Sequence, residues 1–178
     1  MLRVAARLRS CSTRSSPRSY NYVVDHSGAV HLDSARERTL ATAYRDKKFL
    51  DELYRGLRRR RGGKWASQCL GEYSLLRADT GDPNADREII VVFDKLDDDD
   101  GLGYAGTLRE AFDPARLRYC ASGRLYHELT ASRFGELGLV GSHVAHGLSE
   151  RLDVRDGDVR LEWRGASYPV APVAFPTA

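Results

Sequence analysis

Apolar residues recur along this chain in two rhythms, one alternating and one spaced by three and four. Tyr20, Tyr22 and Val24 alternate, and Asp25-His26-Ser27-Gly28 supplies a turn in which Gly28 can take positive φ. With the return run at 29–32, this predicts a β-hairpin over residues 20–33. Ser34 and Glu37 have the spacing of a helical capping box. Phe49, Leu50, Leu53, Tyr54 and Leu57 then form one apolar stripe, which predicts a helix over 46–60. Asp46 would cap it and Tyr44 would act as its hydrophobic staple. Arg58 to Arg61 would lie in the last turn, where cations suit the carbonyl end of the dipole, and Gly62-Gly63 would stop it.

Strand-like runs follow at 64–69, 72–78, 88–93, 108–112, 117–119 and 123–129, with 88–93 expected at the centre of a sheet. Residues 80–86 form a polar loop, and 97–100 with Gly101 and Gly103 a solvated tip. In 139–152, Val144, Leu148 and Leu152 favour a helix that Gly141 and Gly147 weaken. Runs at 159–163 and 166–170 flank Arg164-Gly165, a hairpin turn. The expected fold is α+β: an antiparallel sheet of hairpins packed on one main helix and a shorter helix near 140–152. Leu50, Leu53, Leu57, Ile90, Val92 and Leu125 should lie in the core. Two related hairpin–helix–strand lobes remain open as an arrangement.

Composition changes this picture at one end. Residues 1–19 hold Arg3, Arg7, Arg9, Arg14 and Arg18, six serines and threonines, and no acidic residue. That is the composition of a mitochondrial targeting segment, and Arg7 and Arg9 interrupt the apolar run a secretory signal needs. A single domain over 20–170 and an irregular tail over 171–178 would follow. The whole chain has 28 basic and 25 acidic residues, net +3; without those five arginines 23 face 25, net −2. The basic balance therefore belongs to the address, and nucleic acid is not the expected partner of the folded part. The longest apolar run, 89–93, is far short of the ~20 residues a membrane span needs. Cys69 and Cys120 stand alone and predict free thiols in a reducing matrix.

Motifs of known chemistry fail residue by residue. The run Arg59-Arg-Arg-Gly-Gly-Lys-Trp65 lacks the first glycine and final Ser/Thr of a phosphate loop. Asp82, Asn84 and Asp86 open like a calcium loop, but Arg87 and Phe93 replace its glycine and glutamate. His143 and His146 lack a zincin glutamate. Gly101-x-Gly103-x-x-Gly106 follows an acidic loop with no clear helix after it. No catalytic residue, metal or cofactor is assigned. Two clusters remain: Glu72 with Arg77 and Asp79, and Arg124, Tyr126 and His127. On a strand, Arg77 and Asp79 share a face. Such residues suit a polar ligand pocket, or equally an ion-pair network closing a sheet against a helix.

The order of motifs resembles a eukaryotic family of unknown function, uncharacterised protein family five-nine-eight. Arg18-Ser-Tyr-Asn-Tyr-Val-Val-Asp25 with Gly28 and Leu32-Asp33 is similar to its opening, 45–58 to its next motif, and Gly123-Arg-Leu-Tyr-His127 to its G-R-L-Y-H. Glu72, Arg77 and Asp79 fit a further stretch. Leu53-Tyr54 departs from a Phe pair, and Leu70-Gly71 from a Gly-Arg pair. The family implies mitochondrial members and no reaction. A fainter likeness to a bacterial family of unknown function implies two lobes with a ligand cleft between them.

The expectation is thus a mitochondrial-matrix binding or assembly factor without catalysis, its protein partner unknown. One alternative is a small-ligand enzyme or sensor using Glu72, Arg77, Asp79 and His127, in which His127 is acid or base and Arg77 holds an anion. Another is a ribosome- or RNA-associated factor using Arg58 to Arg61, Lys64 and a stacking Trp65.

Overall fold

The predicted first hairpin forms as β1 (Ser19–Asp25) and β2 (Val30–Leu32). Asp25 builds its turn, accepting from Ser27 N at 2.8 Å, Ser27 Oγ at 2.7 Å and Ala29 N at 3.0 Å, and Gly28 takes φ +90°. The computed structural model describes residues 18–130, 132–173 and 175; residues 1–17, on which the expectation of a targeting segment falls, lie outside them.

No helix follows Ser34, so the capping-box reading is corrected: 34–45 has too few apolar residues to bury a helical face. Tertiary bonds hold it instead. Thr42 Oγ1 lies 3.3 Å from His31 Nδ1, and Tyr44 N donates to Val30 O at 2.8 Å. The main helix, α1, spans Lys47–Gly56 and is capped by Asp46, which accepts from Lys48 N (2.9 Å) and Phe49 N (3.2 Å). The Tyr44 ring packs 5.1 Å from Phe49. The helix stops short of the predicted residue 60. Leu57 turns extended at φ −59°, ψ 134°, and Arg58–Arg59 becomes β3, paired with β4 (Trp65–Cys69). Gly62 and Gly63, at φ +86° and +77°, make a hairpin tip rather than a helix stop. Arg58 and Arg133 side chains cap the carbonyls of the helix's last turn and of Leu57.

β5 (Glu72–Asp79) lies antiparallel to β4 and parallel to β1, giving the order β2-β1-β5-β4-β3. The predicted central strand starts late: residues 89–91 are buried but irregular, and β6 is Val92–Leu96. β7 (Gly101–Tyr104) takes up the two glycines expected in a loop tip. The Arg109 guanidinium occupies the space a Cβ on Gly101 would need, and Gly106 abuts the Lys47 carbonyl, so this glycine motif serves packing. β8 (Leu108–Ala111), β9 (Leu117–Tyr119), β10 (Leu125–Glu128) and β11 (Leu137–Val140) follow. The second helix, α2, is only Ser142–Ser149, flanked by strand on both sides.

β12 (Leu152–Arg155), β13 (Asp158–Trp163) and β14 (Ala166–Pro169) make a three-stranded meander. Its predicted Arg164-Gly165 turn has φ +48° and +79°. The tail is not wholly irregular: β15 (Ala171–Pro172) adds to β9 in parallel. The larger sheet runs β15-β9-β10-β11-β6-β7-β8. The α+β expectation therefore holds with a correction: there are several sheets rather than one antiparallel sheet of hairpins, and the two larger ones are mixed. Both contain the same scheme, a hairpin whose first strand is joined in parallel by the last strand of a later meander (β1 by β5, β6 by β11). All six predicted core residues are buried, in one cluster reaching all three sheets.

Candidate functional site

β5 places Arg77 and Asp79 side by side on the outer face of its sheet, as its alternation requires. Asp33, just beyond β2, and Arg38 complete a closed square. Arg77 meets Asp33 at 2.7 Å and Asp79 at 3.4 Å; Arg38 meets Asp79 at 2.6 Å and Asp33 at 3.3 Å. The Arg38 hydrogen bond holds the Asp79 carboxyl below the usual carboxylate range. Two cations and two anions in this arrangement leave little charge for a ligand. Glu72 stands at the opposite end of β5, roughly 20 Å away by strand rise.

Arg124 precedes β10 and reaches the Thr80 carbonyl at 2.5 Å, tying the larger sheet to the residue after Asp79. Tyr126 and His127 are fully buried. Tyr126 Oη lies 4.0 Å from the Cys120 thiol. The His127 ring is enclosed by Phe93 and Phe112, at 6.1 and 5.6 Å. Its Nε2 accepts from Asp113 N at 3.0 Å, while Nδ1 has no protein partner. Burial pushes its pKa down, so the ring is neutral near pH 7. The four residues of the acid–base reading are therefore not brought together, and 0 % exposure leaves His127 no route to a substrate.

Sequence reasoning missed a different histidine. His31 on β2 is buried with Nε2 3.2 Å from Asp25 Oδ2 and Nδ1 near Thr42. Burial raises the Asp25 pKa, but its bonds from Ser27 and Ala29 outweigh that and hold it low. The Thr42 hydroxyl bonds the carbonyls of Glu37 and Thr39, so the chain Asp25–His31–Thr42 pins the 34–45 segment onto the sheet. The spacing of Asp25 and His31 across a hairpin carries no recognisable signal.

The exposed chemistry gathers at the β3–β4 hairpin. Arg58, Arg59, Arg60, Arg61 and Lys64 are all exposed on it. It borders a cleft of ≈ 560 Å³ floored by Tyr22, Leu75, Leu76, Ala78 and the small exposed part of Trp65, and rimmed by Arg59, Lys64, Arg77 and Arg87. Asp33, Asp86 and Glu88 share that rim. Arg59 pairs with Glu88 at 3.6 Å, whereas Arg60, Arg61, Lys64 and Arg87 enter no ion pair among the described residues. Trp65, proposed from sequence as a stacking platform, is only 5 % exposed and packs on Phe134 at 5.8 Å, so that role is corrected. The arginine run was visible in the sequence; Asn21, Arg87 and Glu88 join it only through long-range pairing.

Among the described residues no three His, Cys, Asp or Glu side chains gather as a metal site, and no helix is long and apolar enough to cross a membrane. Cys69 and Cys120 are free and buried. Fold and surface together define an α+β protein with a cationic hairpin beside a mixed-charge cleft. The chain belongs to an uncharacterised family, described as Domain of unknown function (DUF4505), whose model matches residues 10–172. A DUF1285 family protein from Silicibacter pomeroyi DSS-3 is similar in structure, with a TM-score of 0.41 and 13 % identity over 87 % of this chain and 83 % of that one.

Proposed function

We propose that this is a non-catalytic binding or assembly factor of the mitochondrial matrix, of uncharacterised protein family five-nine-eight. Its β3–β4 hairpin docks an acidic segment of a protein partner. The reading is carried by one observation: Arg60, Arg61 and Lys64 project from a hairpin tip with no ion-pair partner among the described residues, beside a partly apolar cleft. Cations so placed on a mature chain of net −2 steer and orient an anionic partner. An acidic peptide suits the cleft better than a nucleic acid does. Asp33, Asp86 and Glu88 on the rim repel a continuous phosphate backbone, the floor is apolar, and Trp65 is covered. The arginine-rich, acid-free start of the chain supports the compartment.

The test is a photo-crosslinker at position 61 in the full chain, expressed in cells whose mitochondria are then isolated. One acidic polypeptide should be captured in protease-protected organelles. Capture should survive ribonuclease and be lost when R60E/K64E is added to the same crosslinker-bearing chain, whose melting curve should match wild type because both side chains are exposed. Labelling of RNA, loss with ribonuclease, or a chain found outside mitochondria would overturn the reading.

A further inference from the structure

Where the two larger sheets meet, four segments leave a second groove of ≈ 690 Å³, a size that suits a small molecule. The β1–β2 turn, the start of α1 with the residues before it, β6 and the β7–β8 turn supply its walls. One wall is apolar: Leu40, Ala43, Tyr44, Leu50 and Leu108. Leu40 is 73 % exposed there, so covering it would gain hydrophobic free energy.

Asp94 lies on the opposite wall. Gly28 comes so close that a Cβ there would sit 2.8 Å from the Asp94 Cβ, which only a glycine allows. Although the residue as a whole is exposed, desolvation of its carboxyl on that side pushes it up to about 6. The charged groups lining the groove with it are Lys95 and Asp97 on and after its own strand, Arg45 and Lys47 from the helix side, and Arg109 from β8; the phenols of Tyr104 and Tyr54 are neutral. Lys95 is held by Asp97 at 2.5 Å, Arg109 by Asp99 at 2.5 Å and Asp97 at 3.1 Å, and Arg45 by the Leu40 carbonyl at 2.9 Å. Asp94 and Lys47 enter no ion pair among the described residues. With Asp99 counted beside Arg109, four cations face three carboxylates, which leaves the lining positive.

We propose that this groove binds a small amphipathic anion, an apolar-tailed monocarboxylate or its equivalent, with the tail on the Leu40–Tyr44–Leu108 wall and the head group between Lys47 and Asp94. A protonated Asp94 donates a hydrogen bond to the head group; an ionised one repels it. Affinity therefore falls as pH rises through about 6. This site is independent of the cationic hairpin.

Calorimetric titration of the purified chain with decanesulfonate, which stays ionised throughout, tests it at pH 5.5 and 8, with decanoate and decylamine alongside. The expected result is saturable 1:1 binding of both anions, with decanesulfonate weakening about tenfold at pH 8, a change equal to one unit in the Asp94 pKa between free and bound states. Asp94→Asn should abolish that pH dependence and bind as tightly at pH 8 as wild type does at pH 5.5. Lys47→Glu should weaken binding at both pH values, and Leu40→Asn should weaken decanesulfonate but not butanesulfonate. All three changes are at exposed side chains, and circular dichroism confirms that each variant is folded. Absence of saturable binding, preference for decylamine, or binding indifferent to both Asp94→Asn and Lys47→Glu would overturn the proposal.

Discussion

Asp51 joins the two larger sheets through a single buried carboxylate. It sits on the inner side of α1 and accepts from Thr107 N at 2.7 Å and from the Thr107 hydroxyl, with Arg55 at 3.7 Å. Gly106 lies against the helix backbone beside it, leaving no room for a side chain. Burial pushes the Asp51 carboxyl up, but the Thr107 bonds and Arg55 outweigh it and hold the pKa low. A depressed carboxyl contributes stability that is present above its unfolded value and disappears as pH falls through the folded one. Asp51→Asn should therefore cost about 1–3 kcal/mol at pH 7, the scale of a lost charge-assisted bond in a buried setting. Urea unfolding at pH 7 and again below pH 3 checks this: the gap should close in acid, and a gap that persists would assign Asp51 to packing alone. Asp94 has the opposite sign. Its raised pKa means folding favours the protonated form, so Asp94→Asn should melt higher than wild type at pH 8 and no higher at pH 4. Asp94 is itself partly open to solvent, which keeps the effect small.

At the scale of elements, α1 shows what local sequence can and cannot specify. Its start is written in adjacent residues: Asp46 satisfies two free amides, and the apolar stripe begins three residues on. Asp46→Ala should cost about 1 kcal/mol in thermal or urea unfolding. Its end was not legible in the same way. Arginines followed by Gly-Gly fit the carbonyl end of a helix and a hairpin tip equally well. The decision lies with fully buried Leu57 and with the pairing of Arg58 to Ala66, which no local rule contains. The Arg164-Gly165 turn was readable because both of its residues must take positive φ. The parallel pairings of β1 with β5 and β6 with β11 were not, since their partners lie some 50 residues apart and each strand alone reads as one arm of a hairpin. The same limit applied to the site. Arg77 and Asp79 were correctly placed on one face by alternation, but the partners that neutralise them come from the irregular segment at 33–38.

At the scale of the whole molecule, the shared pairing scheme of the two larger sheets raises the question of whether they fold as two units or one. The packing answers for one. Tyr54 on α1 donates to the Ile90 carbonyl at 3.2 Å, and its ring meets Tyr104 and Phe134 at 5.9 and 6.1 Å, so the helix of the first scheme is buried against the second. Phe112 carries the contact onward to Trp163 in the three-stranded sheet, at 4.9 Å. A core continuous across all three layers cannot lose one without exposing the faces of the others, which is the condition for a single cooperative transition. The two tryptophans stand at opposite ends of this path, Trp65 on β4 and Trp163 on β13, and so report on it separately. In Trp65→Phe and Trp163→Phe, the remaining indole's fluorescence and far-ultraviolet circular dichroism should give coincident urea midpoints within each variant. If Trp65 reports a midpoint distinct from the dichroism while Trp163 does not, the first sheet opens on its own. The groove lined by Asp94 would then be a hinge between independently stable halves rather than a fixed seam in one core.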